Sequence, residues 1–154
     1  MPGDDKEGTG PSFPSPDLRI VTRQYLHDVW KEANGGATLS GEDALLAKVM
    51  REHPEYHNTW EFAEVVGAED VVIDGVNPYL HITMHAIVEN QIARKDPPEV
   101  PDTLERLLEQ GMTRHEAIHA IAAEVVEVAF PVFQGRELFK TKRYIKRLRH
   151  LARP

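Results

Sequence analysis

The clearest helix in the chain is NPYLHITMHAIVENQIAR, residues 77–94. Asn77 is a favoured N-cap residue, and Pro78 suits the first helical position because it has no backbone N–H to leave unpaired. His81 and His85 stand four residues apart in the early turns, so their side chains lie on one face of this helix.

The residues that follow this segment predict three further helices. A short helix is predicted over residues 104–110, after a Pro-rich connection. Thr113 and Glu116 have the spacing of a capping box, which predicts the start of a helix that Pro131 ends or kinks. A last amphipathic helix is predicted over about residues 137–151.

The residues that precede it predict helices that start at Asp17, Ser40 and Pro54. The predicted fold class is therefore all-α, a compact bundle of about five or six helices. The bundle is predicted as a single domain over residues 17–154, with a basic C-terminal helix. Residues 1–16 are rich in Pro, Gly and Ser and are predicted to be a flexible tail.

Composition excludes several classes of function. The 154 residues carry a net charge of −7, which argues against a protein that binds nucleic acid through its overall charge. Cysteine is absent, so disulfides, thiolate zinc sites, iron–sulfur clusters and cysteine nucleophiles are excluded. The sequence has neither a membrane-spanning apolar stretch nor a signal-peptide core, which predicts a cytoplasmic protein with no membrane partner.

Histidine gives the strongest functional signal. Six of the eight histidines form three pairs with a spacing of four residues, whereas random scatter gives about 0.4 such pairs. Two imidazoles at this spacing on one helix face can reach a single ion at about 2.0–2.1 Å. The pairs are His53/His57, His81/His85 and His115/His119, and His27 and His150 are interpreted as surface or core residues.

Two of these pairs are predicted to converge. One short helix separates the helix of His81 from that of His115, and short connections favour antiparallel neighbours. The outer two helices should then run the same way, with both pairs at one end of the bundle. His53 and His57 are predicted as further ligands, because the loop at residues 67–76 is long enough to return their helix to that end.

The predicted cofactor is a transition-metal ion. Glu89 lies one turn beyond His85 on the same stripe, where a carboxylate can bind the ion or orient an imidazole. Nitrogen donors with a carboxylate suit Zn²⁺, Fe²⁺ or Mn²⁺, and six imidazoles could hold one or two ions. The sequence therefore predicts a metal-binding protein, and a metal-dependent hydrolase or oxidoreductase is the enzyme class that such a site would fit.

The run from His115 to His119 matches the HExxH pattern of zinc peptidases, in which two histidines bind zinc and the glutamate activates water. Glu116 is therefore a candidate catalytic base, and a zinc peptidase is an alternative function. The predicted capping box with Thr113 gives the same glutamate a structural role. The sequence leaves both roles open.

Residues 136–154 contain eight Lys or Arg residues and one acidic residue, so this segment carries +7 and the rest of the chain −14. One interpretation is a solvated helix face that docks in part on the acidic body, and another is contact with RNA or an acidic partner. Nucleic acid is thus expected only through these residues, and the other partner would be an unknown small molecule or protein. A non-catalytic interaction module that uses this helix is a further alternative function.

Several runs of the sequence together resemble a known bacterial family. They are NPYLH at 77–81, ENQ at 89–91, DPPEV at 96–100 and RHEAIHAI at 114–121, together with His85 and the upstream run HPEYH at 53–57. Over about residues 54–151 the chain resembles DUF1841, a family known only as a domain of unknown function. The resemblance implies a small cytoplasmic helical protein and implies no established activity.

Overall fold

The computed structural model describes residues 18–63, 72–73, 75–133 and 135–154. The tail predicted over residues 1–16 lies outside the described residues, as does most of the loop predicted at 67–76. Within the described residues the chain forms seven α-helices and one 3-10 turn, Pro54–Tyr56. The helices are α1 Leu18–Asn34, α2 Gly41–Arg51, α3 His57–Glu61, α4 Pro78–Arg94, α5 Glu99–Glu109, α6 Arg114–Phe133 and α7 Thr141–Leu151.

The all-α fold class is confirmed, with one helix more than the predicted five or six. The helix predicted to start at Pro54 is instead a 3-10 turn followed by the short α3. Helix α5 starts at Glu99, earlier than predicted. Prolines are compatible with the first turn of a helix, because the backbone N–H groups there have no intrahelical partner and their loss removes no hydrogen bond. Pro131 lies inside α6, which continues to Phe133.

Helix α4 is the central element of the fold. Its predicted cap is confirmed, since the Asn77 side chain accepts hydrogen bonds from the backbone N–H groups of Tyr79 and Leu80 at 3.0 and 3.3 Å. Tyr79 and Ile82 pack on one side of the helix, and Met84 and Val88 pack on the other. A helix that is apolar on more than one side is buried in the middle of a fold.

Two hydrophobic clusters meet on α4. One joins it to α1, α2 and the segment around α3, and the other joins it to α5, α6 and α7. The first contains Leu26, Val29, Trp30, Val49, Met50, Tyr56, Trp60, Tyr79 and Ile82, and the second contains Met84, Val88, Val100, Leu104, Leu107, Ile118, Ile121, Val125, Tyr144 and Leu148.

Helix α7 buries one face and exposes the opposite, basic face. Tyr144 and Leu148 are fully buried, and the Tyr144 hydroxyl donates to the Gln91 side chain at 2.7 Å. On the outer side the basic face forms two ion pairs with the body of the protein, Arg147 with Glu124 at 2.5 Å and Arg149 with Glu99 at 3.4 Å. Residues Lys142, Arg143, Lys146 and Arg153 are exposed beside these pairs.

No described helix is both long and apolar enough to cross a membrane.

Candidate metal centre

Five of the six paired histidines come together between α2, α4 and α6. Neighbouring rings in this group have centroids 4.5 to 6.0 Å apart, for example 4.5 Å between His81 and His119 and 4.7 Å between His53 and His85. We call this group the five-histidine cluster; it consists of His53, His81, His85, His115 and His119.

The helix directions predicted for this convergence are wrong, although the two pairs do converge. Arg114 at the start of α6 contacts Glu89 of α4, whereas His119 further along α6 contacts His81, which lies earlier in α4. Later residues of α6 thus contact earlier residues of α4, so the two helices are antiparallel where they pack together. The short-connection rule failed because α5 packs more extensively on α6 and α7 than beside α4.

The ring of His53 is held in one orientation by the backbone. His53 follows the last turn of α2, is fully buried, and has its Nδ1 2.7 Å from the carbonyl oxygen of Val49. Because a carbonyl oxygen only accepts, Nδ1 carries the proton, and the Nε2 of the neutral ring has a free lone pair. This Nε2 faces the cluster, since it lies 3.1 Å from the Nε2 of His81.

The Nε2 atom of His81 has two imidazole nitrogens as close neighbours. It lies 3.1 Å from the Nε2 of His53 and 3.1 Å from the Nε2 of His119. A ring nitrogen carries either a proton or a lone pair, so His81 cannot donate to one neighbour and accept from the other through the same atom. A hydrogen bond through the His81 Nε2 therefore satisfies at most one of these two contacts with good geometry.

His85 lies at the centre of the cluster. It is 3% exposed, and its buried Nε2 has no hydrogen-bond partner among the described residues. It belongs to both groups of three histidines whose ligand nitrogens lie within 4.8 Å of one another, namely His53/His85/His115 and His81/His85/His119.

The cluster keeps several of its rings neutral near pH 7. Burial, together with the smaller effect of the neighbouring histidines, lowers the pKa of His85 to about 2 and the pKa of His81 to about 4. The pKa of His119 is lowered for the same reasons, burial first. A neutral imidazole has the free lone pair that a metal ligand needs.

One side of the cluster is open to solvent. His53 and His85 are buried at the back, whereas His115 and His119 are exposed on α6. The cluster can therefore be reached by an ion or a small molecule from this side.

His57, which the sequence predicted as a ligand, lies away from the cluster. The predicted pair with His53 required one continuous helix, but the backbone of His53 is not helical and the 3-10 turn separates the two residues. The ring of His57 instead packs against Trp30, with centroids 4.9 Å apart. A spacing of four residues places side chains on a common face only within an α-helix.

Glu89, predicted as a ligand or an orienting partner, forms a bidentate ion pair with Arg114. The two hydrogen bonds measure 2.5 and 2.7 Å, and the Glu89 side chain is almost completely buried. The hydrogen bond from Arg114 holds the pKa of Glu89 below its ordinary value. Both oxygens of Glu89 are thus engaged by Arg114, next to His115 in sequence, and are not directed at the cluster.

Glu116, the predicted candidate base, completes the capping box of α6. Its carboxylate accepts hydrogen bonds from the backbone N–H and the hydroxyl of Thr113 at 2.8 and 2.9 Å. The Glu116 N–H donates to the Thr113 hydroxyl in return at 3.2 Å. These hydrogen bonds lower the pKa of Glu116, which is fully exposed. The structure therefore gives this glutamate the capping role rather than a place among the histidines.

Two residues near the cluster were missed by the sequence analysis. The Tyr56 ring stacks parallel to His53 at 5.9 Å and meets the edge of His81 at 5.5 Å. The negative charge of Glu55 acts on His81 and His119, where it opposes the lowering of their pKa values. The only signal for either residue was its position between the two histidines of the run HPEYH.

The two histidines that have no histidine at a spacing of four residues, His27 and His150, agree with their interpretation as core and surface residues. The Nδ1 of His27 lies 3.1 Å from the buried backbone oxygen of Trp60, and His150 is exposed on α7.

The comparison with protein families decides the classification. The sequence model of a family described as "Domain of unknown function (DUF1841)" matches residues 19–150. The chain belongs to this family. The DUF1841 match extends the resemblance upstream from residue 54 to α1 and α2, so it includes every element that contributes to the five-histidine cluster. No curated protein and no solved structure matches the chain.

Proposed function

We propose that this DUF1841 protein binds a transition-metal ion through the five-histidine cluster. The observation that carries the proposal is the 3.1 Å separation of the His81 and His119 Nε2 atoms, which belong to a group of three histidines whose ligand nitrogens lie within 4.8 Å of one another. Two nitrogens that bind one ion at about 2.1 Å, with an angle of about 90–110° between them, lie about 3.0–3.4 Å apart. The contact between His81 and His119 has this separation.

The chemistry of the rings supports a cation better than a hydrogen-bonded network. A cation can accept the lone pairs of several neighbouring rings at once, whereas a single proton on His81 cannot satisfy both of its neighbours. The hydrogen bond between His53 and Val49 directs the remaining lone pair of His53 into the cluster, as outer partners of metal-bound imidazoles do.

The donor set favours Zn²⁺ or Fe²⁺ over Mn²⁺. Imidazole suits zinc and iron, whereas manganese prefers carboxylate and water oxygens. Glu89, the carboxylate that would have made Mn²⁺ suitable, is engaged by Arg114. The imidazole nitrogens of the five-histidine cluster therefore form the ligand set.

The open side supports a metal that exchanges ligands with solvent. His115 and His119 are exposed, so water or a small molecule can approach an ion held against the buried His53 and His85. A metal with a free coordination position can activate water or polarise a bound substrate, which a hydrolase or an oxidoreductase would require. The HExxH peptidase mechanism receives no such support, because Glu116 is engaged by Thr113.

Metal analysis of protein purified without a histidine tag tests the proposal. We expect at least one zinc or iron ion per chain after purification, or after Zn²⁺ or Fe²⁺ is added to chelator-treated protein. His81→Ala should lower the metal affinity at least 10-fold, and His150→Ala, which removes an exposed histidine outside the cluster, should leave it unchanged. Less than a tenth of an ion per chain after reconstitution would overturn the proposal.

A further inference from the structure

We propose that the cluster holds two metal ions, with His85 as a bridging ligand between them. This inference rests on the proposed function and adds the number of ions and their arrangement. One ion would be bound by His53, His85 and His115, and the other by His81, His85 and His119.

The distances between the ligand nitrogens favour two ions. Ligand atoms that bind one ion at about 2.1 Å lie at most about 4.2 Å apart. Among the described residues, the histidine nitrogens fall into two groups of three within 4.8 Å, and neither group contains both His53 and His119. One ion would use a single group and leave two histidines without metal.

His85 is the residue shared by both groups. An imidazole ring has two nitrogens, and each can bind a different ion. The buried Nε2 of His85 has no hydrogen-bond partner among the described residues, and the ring is buried between its four neighbours. His53, in contrast, cannot bridge because its Nδ1 donates to the Val49 carbonyl.

A bridging His85 would also reduce the electrostatic repulsion between two close cations. Two divalent ions repel each other, and the five histidines bring no negative charge as long as all the rings are neutral. When both nitrogens of His85 bind metal, the N–H proton of the neutral ring is released to solvent, and the ring carries a charge of −1. That charge lies between the two cations, where it offsets their repulsion most effectively.

The stoichiometry of Zn²⁺ binding to the full chain tests this arrangement. We expect two ions per chain for the wild type, and one ion each for His115→Ala and His119→Ala. Both of these histidines are exposed, so their removal leaves the core intact. The matched control is His150→Ala, an exposed histidine on α7, which should retain two ions.

Two other outcomes separate a failure of the two-ion arrangement from a failure of the proposed metal-binding function. One ion in the wild type, bound more weakly by both variants, would overturn the two-ion arrangement while the proposed metal-binding function stands. No bound ion in any protein would overturn both.

Electron paramagnetic resonance with Cu²⁺ as the probe tests the bridge itself, since imidazole also binds copper well. Two Cu²⁺ ions joined through one imidazolate couple their unpaired electrons, so the signal of the wild type should correspond to far less than two spins. The His119→Ala variant with one Cu²⁺ should give the full signal of one spin. A wild-type signal of two full spins would show that His85 does not bridge the ions.

Discussion

The five-histidine cluster and the basic face of α7 are both rich in nitrogen, yet their environments give them opposite chemistry. In the cluster, burial and close neighbours lower the pKa values of His81 and His85, so their rings are neutral and their lone pairs are available. On α7, the basic side chains of Lys142 and Lys146 are exposed to solvent. The first region is therefore suited to cations and the second to anions.

The difference shows how side-chain length and burial determine whether a basic side chain can be kept in a neutral form. An imidazole is short and can be buried in a neutral form, whereas lysine and arginine keep their charged ends in water while the stems cover apolar surface. A count of basic residues along the sequence does not separate these two cases.

Acid should destabilise the metal-free protein through the cluster. A histidine with a pKa below 6.5 in the folded state binds protons more readily when unfolded, so its stabilising contribution is complete above about pH 6.5 and is lost as the pH falls. For the buried His85 the loss between pH 6.5 and pH 5 is about 2 kcal/mol, and the half-buried His81 and the exposed His119 add less because solvent screens them.

Urea unfolding in the presence of a chelator at several pH values measures this loss. The basic face of α7 adds nothing, since lysine and arginine stay charged over this range in both states. A free energy of unfolding that is constant from pH 7 to pH 5 would contradict the neutral state assigned to these rings.

Metal should stabilise the fold through the cluster and not through α7. An ion present at about 100 times its dissociation constant stabilises the folded state by about 2.7 kcal/mol. We expect Zn²⁺ to raise the melting temperature of the wild type and of Lys142→Gln/Lys146→Gln equally. The increase should be largely lost in His81→Ala, and an undiminished increase in that variant would place the bound metal elsewhere.

Breaking the ion pair beside the cluster should cost more than breaking one on α7. Arg114→Ala leaves the buried carboxylate of Glu89 without its partner, and we expect a loss of about 2 kcal/mol because Arg114 itself is half exposed. The matched variant Arg149→Ala removes a 3.4 Å contact with Glu99 at the surface and should cost less than about 1 kcal/mol. Equal losses in thermal or urea unfolding would refute this difference.

Replacement of Glu116 separates its two predicted roles. Glu116→Gln keeps a group that can accept from Thr113, so we expect a loss of stability of no more than about 1 kcal/mol and unchanged metal stoichiometry. Calorimetric unfolding and metal analysis of the same sample measure both quantities. A variant that folds normally but no longer binds metal would assign the carboxylate to the metal centre after all.

The smallest effect is expected on α7 itself. Lys142 and Lys146 are exposed and form no ion pair with the described acidic residues. Lys142→Gln/Lys146→Gln should change the free energy of unfolding by less than about 0.5 kcal/mol, as most surface substitutions do. Lys95→Gln/Arg106→Gln removes the same charge from other exposed positions and serves as the control. A much larger loss in the α7 variant alone would show that its basic face supports the fold.

Local sequence rules predicted the individual elements well. The Asn77 cap of α4 and the Thr113/Glu116 box of α6 are both present, because capping depends only on residues within one helical turn. The placement of His81 with His85, and of His115 with His119, followed from helical periodicity in the same way. These two pairs supply four of the five histidines of the cluster.

The rules failed where distant parts of the chain meet. The direction of α6 relative to α4 depends on where α5 packs, and that packing is set by apolar contacts across the fold. Glu89 stands on the predicted stripe, but the guanidinium of Arg114 reaches it from another helix. Sequence spacing carries no information about such a partner.

The sequence predicts that this chain is helical and that α4 and α6 carry paired imidazoles. Both features can be predicted because backbone hydrogen bonding and side-chain periodicity depend on residues only a few positions apart. The positions of His53, next to these four rings, and of His57, against Trp30, follow only from the way the helices pack together. The physical reason is that this choice depends on a 3-10 turn and on the burial of neighbouring aromatic rings, which arise when separate helices pack together.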